Sequence, residues 1–116
     1  GQTGEISLSH SMLQSDVGDI ILARTGLGTS YHLSVVLDDA VQNITRVVRG
    51  QDLFTATFIH VVLQKLLGLP TPSYHHHRLI RDEAGKRLAK RDDARAIKLY
   101  REDGKTPADI RAMVGL

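Results

Sequence analysis

No cysteine occurs in the 116 residues. That absence excludes a disulfide framework and a thiolate zinc site, and it fits a reducing compartment, the cytoplasm by default. Aromatic residues make up only 4% of the chain, so aliphatic side chains must carry the packing. Long apolar runs are missing too. The most apolar stretch, 54–69, is interrupted by His60, Gln64 and Lys65, which leaves it too short and too polar to span a bilayer, and no membrane partner is expected. The start, GQTGEISLSHSM, has no basic region followed by an apolar run, so no signal peptide is visible. It also has no initiator Met, which points to a fragment of a longer protein.

What is present is ordinary for a globular chain: 41% hydrophobic and 24% charged residues, enough for one domain or part of one. The net charge is only +2, yet it is unevenly spread. Residues 78–105 hold ten Lys or Arg against six Asp or Glu. Such a half faces either solvent or an anion such as a phosphate or a nucleic acid.

Along the chain, DIILAR (19–24) is a short apolar run bounded by Gly18 and by Gly26 and Gly28, which reads as a buried strand and a turn. From Tyr31 to Val41 the apolar spacing allows helix or strand, with helix preferred. ITRVVR (44–49) is a β-branched strand ending at Gly50, followed by a helical pattern over 55–67. Gly68 closes that helix, and Pro70 and Pro72 prevent its resumption. Residues 73–81 then read as extended, up to a turn at 82–85 and a flexible basic loop. Asp92 or Asp93 can cap a helix towards Tyr100, with Gly104 ending it. Thr106, Pro107 and Asp109 form a capping pattern for a last helix. Alternating strands and helices predict an α/β fold with parallel pairing.

Several residues are placed for chemistry. Arg49 ends an apolar strand, at the sheet edge where open α/β folds bind ligands, and its planar fork suits a carboxylate. Gly50 and Asp52 lie in the turn that follows, where the backbone can approach a nucleotide and a carboxylate can accept from ribose hydroxyls; Asp52 as a helix cap is the equal alternative. The loop GKRLAKRD (85–92) is either a solvated turn or a phosphate contact. His75, His76 and His77 are neighbours on an extended segment, so they alternate between faces and no metal site is expected. His60 reads as a packed or surface histidine.

Two stretches carry a family resemblance. TSYHLSVVLDDAVQNITRVVRGQDL (29–53) and LLGLPTPSYHHHRLIRDEAGKRLAKRD (66–92) resemble the class I glutamyl-tRNA synthetase family over roughly residues 18–115. The resemblance implies the C-terminal half of a class I synthetase Rossmann-like domain, with parallel strands, a signature loop and two C-terminal helices. Its divisions are an irregular lead-in over 1–17, the half-domain with its substrate and signature loops over 18–91, and a helical tail over 92–116. It further implies activation of L-glutamate by ATP, accompanied by Mg2+, and transfer to tRNA. By the same resemblance Tyr31 and Arg49 contact glutamate, while Gly50, Asp52, His76, Arg87, Leu88 and Lys90 contact ATP. Lys90 aligns with the essential second Lys of the signature loop, where its charge stabilises the departing pyrophosphate. Arg87 stands where the first Lys is usual and Ala89 where Ser is frequent. The family's first signature, its zinc-binding Cys segment and its acceptor-end insertion are not in this sequence, so the chain alone is expected to be inactive. Its end after one capped helix, and the apolar Val35 where the long enzymes often carry Asn, favour the short branch that glutamylates queuosine in tRNA(Asp). The alternative is a non-catalytic basic RNA-binding module or an inactive fragment, although aromatic stacking pairs are lacking near the basic region.

Overall fold

The computed structural model describes residues 7, 9–89 and 96–116. The chain divides into two compact units, Gly1–Arg78 and Leu79–Leu116. The reason is local: parallel strand pairing ends at His77, and residues 80–88 hydrogen-bond with one another.

The first unit opens with a helical turn, α1 (His10–Met12), running into a wider five-residue turn, Leu13–Val17. The lead-in expected to be irregular is therefore wound over 10–17. Ser9 accounts for it, because its Oγ accepts from the Met12 N–H at 3.1 Å as a local cap. A second correction concerns DIILAR. Only β1 (Ala23–Arg24) is paired, antiparallel to β2 (Gly28–Thr29), and Ile21 and Leu22 are exposed. Gly26 and Gly28 both take positive φ, folding the chain back so that Leu22 O accepts from Ser30 N–H at 2.7 Å. A tight hairpin forms where a buried strand was expected.

Helix α2 (Tyr31–Val41) settles the ambiguous segment. Ser30 caps it, its Oγ accepting from Leu33 N–H at 3.4 Å, and Val36 is buried at 2% exposure where α2 packs on α3. Capping and packing override the β-branched content. Asn43 then takes φ 56°, while Asn43 N–H donates to Ala40 O and Ile44 N–H to Asp39 O, a Schellman closure that delays the next strand. That strand, β3 (Arg46–Gly50), leads through a 3-10 turn (Gln51–Leu53) into α3 (Phe54–Leu66). Gly68 closes α3 in the same way, at φ 68°, with Leu69 N–H on Gln64 O at 2.8 Å.

β4 (Ser73–His77) pairs parallel to β3, Arg49 opposite His76 and Gly50 opposite His77. The strand-helix-strand unit with parallel pairing is as the sequence predicts. Burial alternates along both strands. Arg49, Tyr74 and His76 face α3, where they meet Thr57, His60 and Gln64, whereas Val48, His75 and His77 are exposed. The apolar core is small, Val36 and Leu63 being the buried hydrophobic residues among those described.

In the second unit, residues 80–88 form a tight hairpin. Arg81 bridges Arg87, Leu88 N–H donates to Ile80 O at 3.0 Å, and Asp82 Oδ1 accepts from Lys86 N–H at 2.8 Å. Helix α4 (Ile97–Glu102) begins after Ala96 without a side-chain cap; Asp92 and Asp93 lie outside the described residues. α5 (Pro107–Met113) carries the expected capping box, Thr106 Oγ1 accepting from Asp109 N–H at 3.2 Å and Asp109 Oδ2 from Thr106 N–H at 2.8 Å. No helix among the described residues is long and apolar enough to cross a membrane.

Candidate functional site

Arg49 is the organising residue of the first unit. It projects from β3 onto the polar stripe of α3, half-buried, and each nitrogen of its guanidinium is engaged. Nη1 donates to His60 Nδ1 at 3.2 Å, Nη2 donates to Thr57 Oγ1, and Nε makes a long donation to His76 Nε2 at 3.5 Å. The guanidinium also lies over the Tyr74 ring, 5.1 Å from its centroid. Every one of these partners is an uncharged group or an aromatic face. A guanidinium has five N–H donors. With one used on each nitrogen, one N–H on Nη1 and one on Nη2 have no partner among the described residues, so both terminal nitrogens can still donate to a carboxylate.

Hydrogen-bond direction follows from Arg49 alone. Because a guanidinium only donates, His60 Nδ1 must accept, so the His60 proton sits on Nε2. That Nε2 lies 3.0 Å from His32 Nδ1, which must therefore accept in turn. A directed chain runs from Arg49 through His60 to His32. Thr57 links the other side: its Oγ1 lies 2.8 Å from His76 Nε2 and 3.0 Å from Leu53 O, which compete for its single proton.

Electrostatics agree with this chain. Burial, then the Arg49 charge and then His32 push the His60 imidazole down to about 4, so it stays uncharged at neutral pH. Burial and then Arg49 also lower His76, with smaller effects from His75 and His77. Tyr74 is raised by burial, against the opposing hydrogen bond from Gln64 Nε2 at 2.8 Å.

The residues expected at the site divide by position. Tyr31, the first residue of α2, is 56% exposed and sets its ring edge-on to His60, centroids 5.7 Å apart. It thus stands beside the imidazole that holds Arg49. His76 is brought directly to Arg49 by the strand register. Gly50 has φ −65°, a conformation open to any residue, so the turn here does not itself require glycine. Asp52 lies exposed in the 3-10 turn, and Leu53, the residue preceding α3, provides no side-chain cap. Arg87 and Leu88 belong to the hairpin of the second unit, and Lys90 lies outside the described residues.

Residues 3–116 match the family described as tRNA synthetases class I (E and Q), catalytic domain. The chain belongs to that family. Among its relatives, a Glutamyl-Q tRNA(Asp) synthetase of Rhodobacter capsulatus is 70% identical over 100 residues, covering 86% of this chain and 36% of the relative. One from Nocardia farcinica is 40% identical over 105 residues, covering 90% and 34%. The chain therefore spans about a third of the length of these relatives. A solved glutamate tRNA ligase from Elizabethkingia meningosepticum, in complex with its amino acid, superposes with a TM-score of 0.54 at 33% identity, over 61% of this chain and 14% of that one. The fold is thus a portion of a class I Rossmann-like catalytic domain.

Thr57, His32 and the role of His60 were not read from the sequence of this synthetase segment. A signal was available: Thr57, His60 and Gln64 recur at helical spacing on the face of α3 that the periodicity assigns to the core, and all three are buried. A polar stripe on a buried face calls for a polar partner across it. Arg49 on β3 is that partner for Thr57 and His60, and Tyr74 on β4 is the partner of Gln64.

Proposed function

We propose that this segment carries the glutamate-recognising side of an ATP-dependent activation site within a longer cytoplasmic protein. L-glutamate, ATP with Mg2+ and tRNA are its substrates and partners, queuosine of tRNA(Asp) being the favoured acceptor. The observation that carries the reading is the Arg49 guanidinium, fixed by three uncharged acceptors and with an N–H on each terminal nitrogen that has no partner among the described residues. A half-buried cation with no carboxylate partner among the described residues favours an anionic ligand. The side-chain carboxylate separates glutamate from glutamine, and a cationic fork discriminates between these two.

In the proposed reaction a glutamate carboxylate oxygen bonds to the α-phosphorus of ATP and pyrophosphate leaves. The acyl group then passes to a hydroxyl of the acceptor, and AMP leaves. Tyr31 flanks the amino acid, Gly50 and Asp52 meet the ribose, and His76 lies near the nucleotide. Arg87, Leu88 and Lys90 supply the phosphate contacts, with Lys90 stabilising charge that develops on pyrophosphate. The names of the relatives support the queuosine preference.

Glutamate-dependent pyrophosphate exchange in the longer protein tests the assignment. Arg49→Ala should reduce it by about thirtyfold or more, the loss expected on removing one partner of a buried charge pair. Unchanged glutamate dependence would overturn the role given to Arg49.

A further inference from the structure

His60 is 2% exposed on a largely apolar helix, a place where an imidazole is costly unless both ring nitrogens are satisfied. Both are. Nδ1 takes the Arg49 Nη1 proton at 3.2 Å, and Nε2 lies 3.0 Å from His32 Nδ1. The two bonds are coupled through the ring, because an imidazole that donates from Nε2 presents a bare Nδ1. His32 and His60 also pack ring to ring, centroids 5.2 Å apart, and Tyr31 closes the group edge-on to His60.

Arg49 needs such a holder. Its Nε donation is long, and Thr57, its other fixed contact, divides its hydroxyl proton between two acceptors. His60 is the partner whose accepting nitrogen is fixed by a second ring bond, from Nε2 to His32 Nδ1, and it occupies one of the two Nη1 hydrogens. One hydrogen on Nη1 and one on Nη2 then have no partner among the described residues.

We propose that His60 is a positioning residue for carboxylate recognition: its bare Nδ1 locks the rotation of the Arg49 guanidinium, and His32 fixes the tautomer that can do so. The inference rests on the reading of Arg49 as the glutamate ligand. His60 touches no substrate; it acts through Arg49 and sets the angle at which the fork meets a carboxylate.

The test uses the full chain labelled with 15N and two substitutions of opposite character. His60→Gln keeps an uncharged acceptor and a donor in similar reach, whereas His60→Leu keeps volume and loses both. In the ligand-free chain the His60 imidazole should show a bare Nδ1 and a protonated Nε2, and the Arg49 Nη signals should be resolved, as in a guanidinium whose rotation is hindered. His60→Leu should collapse those signals and weaken L-glutamate binding by about tenfold to a hundredfold, the cost of one hydrogen bond to a charged group. His60→Gln should restore both to within about threefold of the parent, since the bond is replaced in kind.

A protonated Nδ1 in the parent chain would overturn the proposal even if His60→Leu fails to fold. So would a folded His60→Leu that binds L-glutamate like the parent while Arg49→Ala does not bind. Parent-level binding by Arg49→Ala would instead overturn the glutamate reading itself. That failure is separate, because the imidazole and guanidinium signals are recorded without ligand.

Discussion

Arg49 Nη1 and His60 Nδ1 stand 3.2 Å apart, and the bond can run in one direction only. A side chain that never accepts has imposed a tautomer on its neighbour, and through it on His32. Strand β3 and helices α2 and α3 are thus tied together at one buried imidazole, which lies beside the cation assigned to the substrate.

The first prediction concerns pH. The folded protein holds His60 at about 4, below its ordinary 6.5, because burial and the Arg49 charge disfavour the imidazolium. Between those values the unfolded chain binds the extra proton and the folded chain does not, so stability is full above about pH 6.5 and falls as pH drops towards 4. Urea midpoints at pH 7 and pH 4.5 should differ more in the parent than in His60→Gln, which cannot titrate. Equal differences in both would contradict the stated environment of His60.

Leu63 is 6% exposed and, with Val36, forms the buried apolar core of the described residues. Leu63→Ala should destabilise the chain by about 2–5 kcal/mol, through lost burial and the cavity left behind. Chemical denaturation checks this. Because the core is small, the variant is expected to be largely unfolded at 37 °C.

At Gly68 the penalty is purely conformational. Its φ is 68°, and an added Cβ would meet nothing within 4 Å. Gly68→Ala should cost about 1 kcal/mol for forcing an L-residue into the left-handed region, and Gly68→Asn less. Asn43 already ends α2 at φ 56°. Thermal melts of the two variants would show the order.

For the proposed activity, Lys90→Ala should lower kcat of pyrophosphate exchange by about a hundredfold with little change in KM for glutamate, as expected of a charge that acts in the transition state. Steady-state kinetics of the longer protein separates the two. A rise in KM at constant kcat would reassign Lys90 to binding.

How far the fold was legible depended on whether a segment's signal was local. Gly68 and the Thr106–Asp109 box marked their helix ends correctly, because caps and positive-φ closures are decided by a few adjacent residues. DIILAR was misread because an apolar run does not say what covers it. Gly26 and Gly28 turned it into a hairpin with Ile21 exposed. In the site, Arg49 stood out by its place at a strand end, and His76 by the family resemblance. His60 did not, since nothing within one helix tells which strand will lie across from it; only the parallel register of β3 and β4 sets Arg49 and His76 against Thr57 and His60.

The most direct test of the central claim is a calorimetric titration of the 116-residue chain with a non-hydrolysable glutamyl-adenylate analogue and with its glutaminyl counterpart. The account predicts selective binding of the glutamyl analogue, with that selectivity lost in Arg49→Ala. Equal affinity for the two analogues, or selectivity unchanged by Arg49→Ala, would contradict it.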